Sequence, residues 1–325
     1  MRVVVTGGAG FIGRAVVDRL VARGDSVVAL VRDPARAAFL EGHHLTLAPS
    51  DLASVEGLRS AMAGADAVAH IAGSYRVGIR ADERDVMWDA NFGTTERVLD
   101  AASEVGVPRI LYVSTLGVHG NTRGRVVDET WRRDSTDGFL SWYDETKFRA
   151  HELAQARIAR GAPIVIGMPG QTYGPHDHST ASRQVEDAFA GRLRYVAFPD
   201  TGLAWAHVHD LADGLVAMLD RGRIGESYSL GGECRRMAES IAIAARAGGR
   251  RPPPMRVPTM FLRAIAPIND RLGGLPGLPA NVRETIASAD GVTYWANHDK
   301  ATAELGYAPR PLAQGIRDTW GSDPA

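Results

Sequence analysis

Val3-Val4-Val5-Thr6-Gly7-Gly8-Ala9-Gly10-Phe11-Ile12-Gly13 is the stretch that decides the fold. Three β-branched residues in a row make a buried strand, and Thr6-Gly7-Gly8 ends it. From Phe11 to Arg23 the apolar residues recur with helical spacing, and Gly24-Asp25 stops the helix. Gly7, Gly10 and Gly13 stand three apart, and Gly8, Gly10 and Gly13 also satisfy G-x-G-x-x-G. A turn of this kind must be tight, its backbone must approach a pyrophosphate, and its helix must pack close to the strand. Each demand removes a side chain. The helix start then offers free N–H groups and the positive end of its dipole to phosphate. Strand before and helix after are the context in which the motif signifies a dinucleotide site.

The same alternation continues outward. Strands are expected at Ser26 to Val31, Leu45 to Leu47, Ala67 to Ile71, Ile110 to Ser114 and Ile164 to Met168. Helices are expected at Ala53 to Met62, Asn91 to Val105 and Tyr143 to Arg160. Strands that are apolar throughout and alternate with helices form a parallel sheet covered on both faces. With right-handed crossovers this is an α/β Rossmann fold, a doubly wound parallel sheet. After Gly170 the regularity weakens. Segments 170–205 and 234–325, which include GGRRPPPMRVP at 248–258, read as a smaller C-terminal substrate lobe. Residues 1–169, with 206–233 and a returning strand near Ser227 to Leu230, form the dinucleotide domain. The arginine-proline stretch reads as a solvated loop.

Composition narrows the partners. The chain has 325 residues, with 37 basic against 38 acidic, so no single-signed field argues for nucleic acid or an anionic membrane. A single cysteine, Cys234, excludes an intrachain disulfide and suits a reducing compartment. The start lacks the basic flank and apolar core of a signal peptide, and no apolar run approaches the ~20 residues of a membrane span. The chain reads as cytoplasmic. His176 and His178 flank Asp177 but lack a third ligand at a defined spacing, so a polar loop is expected there and no metal site.

The second strand ends Val31-Arg32-Asp33-Pro34. An NAD site carries an acid about 20 residues past the glycines, for the ribose 2′-hydroxyl. Here Arg32 stands at the strand end and suits the 2′-phosphate of NADP(H), with Arg36 able to assist. NADP(H) is therefore favoured, and Asp33 keeps NAD(H) open.

Several segments together resemble one family, the extended short-chain dehydrogenases/reductases, or NAD-dependent epimerases/dehydratases. They are the glycine turn, Asp51-Leu52, His70-Ile71-Ala72-Gly73, Asn91-Phe92-Gly93-Thr94-Thr95, Tyr143-Asp144-Glu145-Thr146-Lys147, Pro169 to Pro175, His207 to Ala212 and Ala303 to Tyr307. They occur in the family's order along nearly the whole chain. Val31 to Pro34 is similar to the dihydroflavonol-reductase-like branch, which reduces ketones or aldehydes with NADPH. The resemblance implies cofactor contacts from Gly7, Gly10, Phe11, Ile12, Gly13, Arg32, Asp51, Leu52, Ala72, Gly73, Asn91, Ser114, Tyr143, Lys147, Pro169 and Thr172. It also implies a homodimer through two helices flanking the central site, one of them bearing Tyr143.

Tyr143 and Lys147 are spaced i, i+4 and share a helix face. A tyrosine with a free pKa of about 10 is a weak base at neutral pH, and a nearby ammonium is expected to lower it. So tuned, it exchanges a proton with a carbinol oxygen during hydride transfer. By resemblance, Thr115 completes a catalytic set with Tyr143 and Lys147, and Ser114 is its competitor. Where the family's 4,6-dehydratases place Asp-Glu after that threonine, this chain has Leu116-Gly117, which argues against elimination of water. His119 replaces the family's usual tyrosine, and substrate contact and loop packing are both open for it. Tyr75, with Ser74 and Arg76, is expected beside the nicotinamide end.

The expected activity is NADP(H)-dependent interconversion of a carbonyl and an alcohol on a small or medium organic substrate. Two alternatives stay open: a sugar or sugar-nucleotide epimerase that uses the cofactor transiently, and a non-catalytic dinucleotide-sensing regulator.

Overall fold

The computed structural model describes residues 1–40, 42–271, 274 and 278–321; positions 272–273, 275–277 and 322–325 of the expected second lobe lie outside them. Six strands open the chain: β1 (Arg2–Thr6), β2 (Ser26–Val31), β3 (Leu45–Pro49), β4 (Ala67–His70), β5 (Ile110–Val113) and β6 (Ile164–Pro169). Three short strands follow, β7 (Gln171–Tyr173), β8 (Tyr195–Val196) and β9 (Gly202–His207), before β10 (Ser227–Leu230) returns to β6. The resulting seven-stranded sheet has the order β10-β6-β5-β4-β1-β2-β3. Every pairing in it is parallel.

Helices cover both faces, which is why the central strands are apolar on both sides. Helix α1 (Phe11–Ala22), and later in the chain α7 (Val208–Arg221) and α11 (Asp299–Leu305), bury Val16, Leu20, Leu211, Leu215 and Leu305 against Val3 and Val5. On the opposite face α2 (Val55–Met62), α4 (Thr94–Glu104) and α5 (Trp142–Ala159) bury Leu58, Met62, Val98, Leu99 and Ala150 against Val4, Val68 and Ile110. A fully buried leucine or valine side chain contributes roughly 1.5–3 kcal/mol, so these two cores carry the domain.

The chain direction across the sheet reverses at β1, which has β2 on one side and β4 on the other. The loops after β1 and β4 part there and leave a crevice at the strands' carboxyl ends.

The stretch expected as one helix from Asn91 begins differently. A short helix α3 (Arg84–Trp88) runs into a π-helical turn at Asp89–Gly93, and only then into α4. Side-chain bonding by Asn91 and Thr95, described below, occupies the groups a regular helix start would use.

The second lobe centres on β9. It pairs antiparallel with β11 (Glu233–Arg236) and parallel with β7 and, near the end, with β13 (Thr293–Tyr294). Helices α6 (Thr180–Phe189), α8 (Met237–Ala247) and α12 (Leu312–Trp320) enclose a third core with Tyr173, Trp205 and Ile316. Trp205 is 1% exposed and is a core residue. Between β12 (Met255–Arg256), which pairs with β8, and β13 lie α9 (Thr259–Arg271) and α10 (Val282–Ala289). Among the described residues no helix is long and apolar enough to cross a membrane, and no three His, Cys, Asp or Glu side chains group as a metal site.

Candidate active site

The crevice is a cleft of about 1040 Å³ that runs over the carboxyl ends of β1, β2, β4 and β5. That lies at the upper end of the usual range for small-molecule sites, about 300–1,000 Å³. Gly7, Gly10, Phe11, Ile12, Gly13, Arg32, Asp51, Leu52, Ala72, Gly73, Asn91, Ser114, Tyr143 and Lys147 line it together. Thr115, Pro169 and Thr172 are not on its wall: Pro169 ends β6, and Thr172 sits in β7 with its hydroxyl directed to Gly170 O at 3.4 Å.

The glycine turn has the geometry its sequence requires. Gly7 has φ +75°, and a Cβ there would meet Ala72 N at 2.6 Å. A Cβ on Gly13 would stand 1.9 Å from Gly7 O, so helix α1 can approach the strand only with glycine at this position. No side chain caps α1, and its first turn has no acid. Its leading N–H groups and dipole are left for an anion, and the turn fits a dinucleotide pyrophosphate.

At one end of the cleft, Arg32 is exposed and makes no hydrogen bond or ion pair with any described residue. Asp33 is already engaged. Its Oδ1 accepts from Ala35 N at 3.0 Å, and Arg36 lies 3.5 Å from Oδ2. Asp51 accepts from Ala53 N at 3.0 Å. Arg97, which the sequence reading did not single out, donates to Leu52 O at 2.9 Å and forks onto Asp89 at 2.8 and 3.0 Å. The acids that line the cleft are Asp33, Asp51 and Asp89, and Arg97 ties Asp89 to the loop of Asp51 and Leu52.

At the other end stand Tyr143 and Lys147 on α5. Ser141 caps this helix, accepting from Asp144 N at 3.1 Å. The nearly buried Arg133–Asp144 ion pair, 3.0 Å, fixes its first turn. The Tyr75 ring meets the Tyr143 ring edge-on at 4.8 Å, so the loop after β4 does reach this end. Thr115 accepts from Gly117 N at 3.1 Å, and its hydroxyl is close enough to the Tyr143 phenol to favour the phenol's ionised form.

Burial pushes the Tyr143 phenol well above its ordinary value, and the Thr115 contact only partly offsets this. The expected lowering by Lys147 is not what governs it. Lys147 Nζ donates to Val113 O at 3.0 Å and lies 3.5 Å from Tyr112 OH, over the Tyr112 ring. Lys147 has no carboxylate partner among the described residues, and burial lowers its ammonium to about 8. The phenol therefore holds its proton at neutral pH, which suits a proton donor.

His151 follows Lys147 by one helical turn, and its Nδ1 lies 3.0 Å from Ser114 Oγ. The i, i+4 spacing from Lys147 was the available signal for it. His119 is 5% exposed with Nε2 unpartnered among the described residues, and burial lowers it to about 4. Asp177, between the two histidines once considered for metal, instead accepts from Ser179 N at 2.8 Å ahead of α6.

Comparisons with known proteins agree with this geometry. Residues 3–231 match the model of the "NAD dependent epimerase/dehydratase family". A Synechocystis protein provisionally named dihydroflavonol 4-reductase is 28% identical, over 97% of this chain and 92% of its own length. The 4-hydroxy-2-methyl-3-oxo-4-farnesyl-3,4-dihydroquinoline-1-oxide ketoreductase of Stigmatella aurantiaca is 29% identical, over 97% and 94%. The crystal structure of gox2253 superposes with a TM-score of 0.81 at 31% identity, covering 98% of this chain and 97% of its own. The chain belongs to the NAD-dependent epimerase/dehydratase family of enzymes, the extended short-chain dehydrogenases/reductases.

Proposed function

We propose that the protein is an NADP(H)-dependent reductase that converts a ketone or aldehyde of a small or medium organic molecule to the alcohol, and runs the reverse oxidation. The observation that carries this reading is the segregation of charge along the cleft. Asp33 follows Arg32, Asp89 is held by the Arg97 that also binds Leu52 O, and the lining residues Tyr75, Ser114 and Lys147 around Tyr143 bring no carboxylate. Elimination of water calls for an acid and a base at the substrate. Carbonyl reduction calls for a single proton donor beside the acceptor carbon.

NADP(H), when held in the cleft, would supply the hydride. Residues of this chain do the rest. Arg32 binds the 2′-phosphate through charge-assisted hydrogen bonds. Thr115 positions the substrate oxygen, and Tyr143 gives that oxygen its phenolic proton. Lys147, cationic below about pH 8, holds the nicotinamide ribose. The Synechocystis and Stigmatella relatives, named as reductases, support the same direction of chemistry.

Titrating NADPH and NADH by fluorescence tests the cofactor assignment: NADPH binds more tightly, and equal or reversed affinities overturn it. Purified protein that retains NAD tightly and shows no net NADPH turnover would favour an epimerase instead.

A further inference from the structure

Beneath the cleft a row of buried side chains joins β1 to the start of α4. Thr6 Oγ1 lies 2.7 Å from His70 Nδ1, and His70 Nε2 lies 3.0 Å from Thr95 Oγ1. Thr6, His70 and Thr95 are fully buried. The direction of every bond in the row follows from one fact. Thr95 has a single hydroxyl proton, and it goes to the carbonyl of Asn91 at 2.6 Å, an acceptor only. Thr95 Oγ1 must therefore accept from His70, which puts the ring proton on Nε2. Nδ1 is then a bare acceptor, and Thr6 donates to it. Thr6 Oγ1 in turn faces Ala72 N at 3.4 Å.

The row does not stop at Asn91. Its side-chain amide reads both backbone groups of Ser74: Oδ1 accepts from Ser74 N at 2.7 Å, and Nδ2 donates to Ser74 O at 3.0 Å. The remaining Nδ2 proton goes to Thr146 Oγ1 at 2.9 Å, and Thr146 donates to Tyr143 O at 2.9 Å. The π-helical turn at Asp89–Gly93 places the carbonyl and the side chain of Asn91 where both can serve. With its amide committed in this way, Asn91 lines the cleft as a structural member.

We infer that His70, locked as the neutral Nε2–H tautomer, is a positioning residue: the one-directional row through Thr95, Asn91 and Thr146 sets the helix of Tyr143 and Lys147 relative to the glycine turn. Docking of the dinucleotide and placement of the proton donor then become one mechanical unit. A charged His70 would reverse the first bond of the row, since Thr6 Oγ1 would then have to accept from Nδ1–H. Burial and the neighbouring Lys147 ammonium both oppose that charge and lower His70 to about 3. An apolar residue pair would pack here without the cost of burying polar groups, so a purely structural role gives no reason for the polar row.

The test uses the full chain and compares Thr95→Val, which keeps shape and removes the rung, with Thr95→Ser, which keeps the rung. Leu99→Ala, in the core on the same helix, controls for lost stability. Nitrogen NMR of the His70 ring is the readout that needs neither cofactor nor substrate: the Nε2–H tautomer is expected, unchanged from pH 8 to pH 5. An Nδ1–H ring, or titration within that range, overturns the inference. The kinetic part rests on the reductase reading. With a carbonyl substrate turned over by the wild type, Thr95→Val is expected to lower kcat about tenfold and weaken NADPH severalfold. Thr95→Ser is expected to stay within about twofold, as is Leu99→Ala despite a lower Tm. If Thr95→Val keeps wild-type kcat, or if Leu99→Ala loses as much, the row is only structural. Should the wild type reduce no carbonyl, the functional reading fails while the tautomer result stands.

Discussion

The two ends of the cleft solve opposite problems. At the Arg32 end the charged groups are in water, where a guanidinium keeps its charge at little cost and where contacts are screened by salt. At the Tyr143 end Lys147 is buried and Tyr143 half-buried, and desolvation moves their proton affinities: the phenol up, the Lys147 ammonium down to about 8. The first arrangement suits recognition, because an exposed cation waits for an anionic ligand without reorganising the fold. The second suits chemistry, because small changes of environment shift a proton. Changes at one end should therefore affect affinity and changes at the other should affect rate.

The largest expected effect is at the buried end. Tyr143→Phe should lower kcat by about 10²–10⁴-fold, the range attributed to a positioned proton donor, while NADPH affinity stays within about twofold. Comparable losses in affinity and rate would break the division between the two ends. Next is Arg32→Ala. It should weaken NADPH by roughly 1–3 kcal/mol, leave NADH unchanged, and show the larger loss at low salt. Fluorescence titration of both nucleotides checks it, and a loss confined to NADH contradicts the assignment.

A smaller effect is expected from pH. Lys147 is an ammonium whose folded pKa is below its free value, so it is charged below about pH 8 and neutral above. The pH profile of kcat/KM, which reports the free enzyme, should fall as pH rises through about 8. In the same window the sign for stability is reversed. Between about 8 and the free value near 10.5 the unfolded chain binds the extra proton, so the Lys147 contribution to stability rises with pH.

The smallest effect is global. His70 and His151 are lowered to about 3, and His119 and His207 to about 4, each chiefly by burial. Below the free value near 6.5 the unfolded chain takes up protons that the folded chain refuses. Tm should decline from pH 7 to pH 5, by on the order of 10 °C if all four rings contribute, and further toward pH 4. A flat Tm over that range would contradict the burial of these rings.

Most of the dinucleotide domain was legible because its strands are apolar on both faces and its helices keep period. Val3 to Gly13 alone specified strand, turn and helix. What escaped was bonding between side chains far apart in sequence. The π-helical turn depends on Asn91 meeting Ser74 and Thr146, and no local pattern records that. Arg97 escaped for the same reason, since its partner Leu52 O lies in another loop. The sign of the Tyr143 shift was misjudged because i, i+4 spacing shows that Lys147 shares a helix face but not that its ammonium turns to Val113 O. The second lobe was least legible: its strands are two to six residues long and its sheet joins segments from 171 to 294.

The central claim is that exposed charge at Arg32 selects the cofactor and the half-buried phenol at Tyr143 delivers the proton. A panel of ketones, aldehydes and sugar nucleotides, assayed for oxidation of NADPH and of NADH with wild type and Tyr143→Phe side by side, tests it most directly. The account predicts that at least one ketone or aldehyde consumes NADPH faster than NADH, with one alcohol formed per NADPH, and that Tyr143→Phe abolishes this while still binding NADPH. Sugar-nucleotide epimerisation with no net nucleotide consumption, or carbonyl reduction undiminished in Tyr143→Phe, would contradict it.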